Sequence, residues 1–171
     1  MSKIVSFLIM AMTAFSCCTN KKTNTAPKTA DTIAQNCPEN VDCTWQVFQD
    51  KAMIIKTDGT GAIYYELQDT PGKTVYSYTY KLKTDQQYQD NFYREEIIFE
   101  INTAAADFTL TGKQLQETKM LFGVFCYCKG KAGYYKVNEG ILSQKDKTIT
   151  ADFKAIVADQ KVTSARYTLK N

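Results

Sequence analysis

The chain has 171 residues, with 21 Lys and Arg against 18 Asp and Glu, a formal charge of +3 and no histidine. Charge this close to balance argues against nucleic acid or an acidic polymer as the main partner. The missing histidine removes the commonest general base, the Ser-His-Asp triad and most zinc and copper sites, and the only arginines, Arg94 and Arg166, cannot form a cluster for bidentate phosphate recognition. No enzyme activity, cofactor or metal is expected from this composition.

The chain opens with Met1, one basic residue at Lys3, an almost wholly apolar run over 4–15, and then Ser16-Cys17-Cys18. This is the pattern of a secretory signal, and the run is too short to span a bilayer. With the box Ala14-Phe15-Ser16-Cys17 it resembles the signal of a bacterial lipoprotein, in which the cysteine at the cleavage point is acylated. The resemblance implies removal of residues 1–16 and lipidation of Cys17, with Cys18 as the alternative. It also implies anchoring to the membrane through palmitate-type chains. No acidic run follows the box, so the periplasmic side of the outer membrane is the expected location.

Residues 17–36 form the next unit. Their composition is polar, with Ile33 the only large apolar side chain in 19–36. Such a segment cannot bury enough surface to offset its ordering entropy, so a disordered tether is expected, with a reach of about 25 Å. Within it, Asp31-Thr32-Ile33 matches a short O-glycosylation sequon, which makes Thr32 a weak acceptor candidate.

Residues 37–171 have the length of one domain, and their period is that of strands. Strands are expected over 44–49, 51–56, 62–67, 73–83, 93–101, 120–128, 133–137, 141–144, 148–157 and 162–169, with turns at Asp58-Gly59, at 69–72 and at Lys145-Asp146-Lys147. Thr111 followed by Gln114 fits a capping box and predicts one short helix within 110–120. Nine or ten short strands with turn signals between them give an all-β fold, an antiparallel sandwich in preference to a barrel. The 120–128 strand is apolar on both faces and should be central. Lys81 and Lys83 are expected to face Glu96 and Glu100 across a hairpin as solvated ion pairs.

The domain carries four cysteines, Cys37, Cys43, Cys126 and Cys128, an even number that implies disulfides in an exported chain. A bridge between positions two apart on a strand is awkward, so each of Cys126 and Cys128 is expected to pair with Cys37 or Cys43. The alternatives are a four-thiolate metal site or a redox-active Cys-Tyr-Cys. The tyrosines are the feature suited to ligand contact. The face made by Tyr76, Tyr78 and Tyr80, with Tyr88 in the following turn, is the first candidate for binding. These readings predict an anchored, non-enzymatic module that recognises an envelope protein or a glycan. The alternatives are an inhibitor or immunity-type lipoprotein and a thiol redox or metal-binding protein using Cys126 and Cys128.

Overall fold

A computed structural model describes residues 37–83 and 92–169. Cys17, Cys18, Thr32 and Tyr88 lie outside the described residues. Nine strands and one 3₁₀ helix make an all-β fold of two antiparallel sheets. The first sheet runs β1 (Val41–Thr57), β2 (Ile63–Leu82), β3 (Tyr93–Asn102), β5 (Leu121–Cys126), β6 (Gly133–Lys136). The second runs β4 (Phe108–Thr111), β7 (Gly140–Lys145), β8 (Thr148–Phe153), β9 (Ser164–Thr168).

The two expected breaks inside the first hairpin become bends. Lys51–Thr57 and the residues before Asp50 form one strand, because β1 and β2 stay paired on both sides of the irregularity between Gln49 and Lys51. Asp50 takes φ 54, and its Oδ1 accepts the Gly72 N–H at 3.0 Å, with Gly72 at φ 83. The turn residues at 69–72 therefore supply a wide bulge rather than a chain reversal, and bulges bend and twist a hairpin. The outer half of the hairpin folds back across the sheet until Ile63 pairs with Tyr134 of β6. This contact closes β2, β3, β5 and β6 into a small barrel-like ring, so the sandwich and the barrel are both present.

Each side of the curled sheet buries a core. The larger lies between the sheets. Trp45 packs against Tyr78 and Tyr167 with ring centroids 5.2 Å away in each case, and Tyr76 stacks on Phe99 at 5.7 Å. Phe122, Val124, Leu142, Ile149, Ala151 and Phe153 complete it. The smaller, inside the fold-back, is built on Met53, Val75, Ile98 and Leu121. β5 serves both, with Phe122 and Val124 on one side and Leu121 on the other, as its two-sided apolar sequence predicts.

The short helix is a 3₁₀ helix, Gly112–Thr118. Gln114 Oε1 accepts from the Thr111 N–H at 3.2 Å and from its hydroxyl at 3.3 Å, and Lys119 ends the turn in the left-handed region at φ 52. β4 was not anticipated, although Phe108-Thr109-Leu110-Thr111 alternates apolar and polar residues. The β2–β3 register sets Thr79 opposite Glu96, Val75 opposite Glu100 and Lys81 opposite Arg94, which corrects the expected lysine–glutamate ladder.

Candidate functional site

β3 carries three buried carboxylates, and they replace the solvated acids expected there. Glu95 is 0% exposed on the inter-sheet side. Its Oε1 accepts from the Lys161 N–H at 2.7 Å and the Tyr93 hydroxyl, and its Oε2 from the Val162 N–H at 2.7 Å. That arrangement ties the segment leading into β9 to the first sheet.

Glu96 points the other way, into the curled sheet. Its Oε1 accepts from Ser77 at 2.8 Å and Tyr65 at 3.1 Å, its Oε2 accepts from Tyr134 at 2.8 Å, and Arg94 stands 3.9 Å away. Burial, and next the charge of Glu96, push the Tyr65 and Tyr134 hydroxyls well above the usual phenol range. Glu100 Oε2 accepts the Met53 N–H at 2.6 Å. Its Oε1 pairs with Lys119 at 3.0 Å, and Lys119 in turn donates to the Met53 carbonyl at 2.6 Å. A glutamate and a lysine thus complete the backbone bonding of a folded-over strand.

All six carboxylate oxygens have protein partners, as buried acids require. The sequence signal was present, in the run Glu95-Glu96-Ile97-Ile98-Phe99-Glu100, where acids sit inside an otherwise core-forming strand.

The expected aromatic face is turned inward. Tyr76 and Tyr78 are buried between the sheets and Tyr80 packs half-buried beside them, so the face expected to meet a ligand is core instead. Burial pushes Tyr76 up to about 12. The strand's apolar face went to the second sheet, whose Tyr167 covers Tyr76 at 5.5 Å.

The cysteines pair locally, Cys37 with Cys43 and Cys126 with Cys128. This corrects the expected cross-pairing. β1 and β5 are separated by β2 and β3, about 14 Å at three strand spacings, beyond the reach of about 7 Å between disulfide-linked Cα atoms. β5 ends at Cys126 and the chain bends at Tyr127, so the Cα atoms of Cys126 and Cys128 lie 5.2 Å apart, less than in a continued strand. The four sulfurs do not converge, and among the described residues no group of three or more His, Cys, Asp or Glu is placed to hold a metal ion.

Among the described residues two surface features stand at opposite ends of the first sheet. At one end, a groove of about 380 Å³ runs along the far end of β3, the segment into β4 and the 3₁₀ helix. Ile101, Phe108 and Leu110 give it apolar walls, and Asn102, Asp107 and Glu117 give it polar ones. At the other end is a tip where the Cys126–Cys128 bridge brackets Tyr127, 74% exposed, with Phe92 at the start of β3 also exposed. The described chain begins at this second end, since Val41 pairs with Leu82. The nine residues from Leu82 back to Lys73 place the groove about 30 Å away. No protein-family model, curated protein or solved structure matches the chain.

Proposed function

We propose that the chain is an exported, lipid-anchored domain that works by binding, and that its ligand is a saccharide of the cell envelope held in the end groove. The observation that carries the reading is the placement of all four domain cysteines in two pairs, with Cα atoms 5.8 and 5.2 Å apart. Disulfides of this kind persist in oxidising compartments. The signal-like start with Cys17 supplies the route there and the means of attachment.

The groove suits a hydroxyl-rich ligand. Asn102, Asp107 and Glu117 offer side-chain acceptors beside the half-buried Phe108 ring, and a sugar presents both hydroxyls and an apolar face. The groove lies at the end away from where the tether joins, clear of the point of attachment.

Metabolic labelling with a palmitate analogue tests the anchor. Cys17→Ala is expected to abolish labelling and Cys18→Ala to leave it, and an unlabelled native chain that keeps Met1 would sink the export reading. Co-sedimentation with isolated peptidoglycan tests the groove. Phe108→Ala and Asn102→Ala are each expected to weaken binding by about tenfold. Failure of the parent chain to sediment, or variants that sediment equally well, would overturn it.

A further inference from the structure

Cys37 and Cys126 are both half-buried against the inter-sheet core, and the two bridges differ in their other residue. Cys43 is buried, its sulfur part of the inter-sheet core, and it stands in the β1–β2 ladder opposite Tyr80. Cys126 is the last residue of β5, and Cys128 stands beyond the strand end, half-buried, at the start of a turn closed by the Lys131 N–H on the Cys128 carbonyl at 3.4 Å. Between them Tyr127 is turned out to solvent. Lys129, exposed and in no ion pair among the described residues, follows Cys128 directly.

The three-residue loop that this bridge closes also gives it little entropic hold on the fold, because disulfide stabilisation in the chain-entropy model grows with loop length. A half-buried cysteine outside the core, next to a solvent-exposed residue, and a bridge with little entropic hold favour thiol–disulfide exchange.

We propose that Cys126–Cys128 is a thiol-exchange site whose substrate is the dithiol of another protein, while Cys37–Cys43 is a structural staple. A thiolate of the dithiol attacks Cys128 Sγ. The Cys126–Cys128 bond breaks, and Cys126 leaves as a thiolate that takes up a proton. The second thiolate of the substrate then attacks its own sulfur in the mixed disulfide and expels the Cys128 thiolate. Two electrons and two protons pass to this chain, and the substrate leaves as a disulfide, so the step needs no further oxidant.

The site lies at the opposite end from the groove, and its chemistry can be read in vitro whatever the fate of the saccharide reading. The full chain is incubated with reduced glutathione, quenched with acid, alkylated and mapped by mass. Cys126 and Cys128 are expected to become reduced together, at least about tenfold faster than Cys37 and Cys43, with the circular dichroism spectrum unchanged. Reduction of both bridges at one rate, Cys37–Cys43 opening first, or loss of the fold when only Cys126–Cys128 is open would overturn the proposal.

Single variants then test which cysteine is the more reactive in exchange. With oxidised glutathione, Cys126→Ser, which keeps Cys128, is expected to form the mixed disulfide faster than Cys128→Ser. Equal or reversed rates would remove Cys128 from that role.

Discussion

The core between the sheets and the core inside the curled sheet exclude water by different means. The first is broad. Twenty buried residues contribute to it, with Trp45, Tyr76, Tyr78, Phe99, Phe122 and Tyr167 supplying most of the bulk, and its one buried acid, Glu95, lies towards the end near the tip. The second has four fully buried apolar residues, Met53, Val75, Ile98 and Leu121. It is closed by polar groups, with Glu96 under Tyr65 and Tyr134 near the start of β3 and Glu100 under Lys119 further along.

A wide interface can be filled with side chains. The folded-over hairpin brings backbone groups of Met53 and the hydroxyls of Tyr65 and Tyr134 to the small core, and carboxylates satisfied on both oxygens partner them. The difference teaches that Glu96 and Glu100 hold the fold-back in place, a role that depends on every hydrogen bond being made.

The largest effect is expected from the broad core. Trp45→Ala should cost about 3–5 kcal/mol in urea unfolding, from lost burial and the cavity left between three rings. A loss under about 1 kcal/mol would mean that the inter-sheet core is not what holds the sheets together.

Glu96→Ala comes next, at about 3 kcal/mol, because it strands the hydroxyls of Ser77, Tyr65 and Tyr134 and leaves Arg94 unpaired. Glu96→Leu sharpens the comparison. If it proved as stable as the parent, the polar closure of the small core would be dispensable.

Gly123→Ala should cost about 1–3 kcal/mol, since a Cβ there would stand 2.6 Å from the Tyr134 ring and push its hydroxyl away from Glu96. Chemical-shift changes in β5 and β6 that extend to Glu96 of β3 would confirm that path, and a neutral variant would contradict it.

The smallest effect at neutral pH is the titration of the tyrosines. Tyr65, Tyr134 and Tyr76 have folded pKa values raised above the ordinary value of 10.0, so their neutral forms belong to the folded state. Their contribution is complete below pH 10 and is lost as the pH climbs from there through the folded values. Urea midpoints should therefore hold steady up to about pH 10 and then fall, and Tyr65→Phe with Tyr134→Phe should flatten the fall. An unchanged slope in the double variant would separate those two hydroxyls from the alkaline limit.

Much of the local structure was legible from the residues. Lys145-Asp146-Lys147 reads as a hairpin tip, and Asp146 and Lys147 take φ 47 and 62 as a two-residue turn requires. Asp58 reads as a turn residue, and its Oδ1 accepts the N–H groups of Thr60 at 2.8 Å and Ala62 at 3.0 Å. Thr111 and Gln114 mark the start of the helix where their spacing places it. These features depend on a few neighbouring residues, whereas the turn expected at 69–72 gave way to the pairing of β1 with β2.

The candidate sites were less legible. Tyr76 and Tyr78 could face solvent or core on period alone, and only the arrival of the second sheet decided it. The Phe108–Leu110 wall of the groove and the bend at Tyr127 likewise depend on where β4 and β5 end up.

The sequence by itself determined an all-β chain, the alternation of its strand faces, the hairpin tips at Asp58 and Asp146 and one short helix, because backbone geometry ties side-chain direction to a period of two. Only the tertiary structure decided that β1 and β2 bend together, that three glutamates are buried, and that the cysteines pair with near neighbours. Those outcomes depend on which surface covers which, and covering is a property of strand order and spacing that no local run of residues contains.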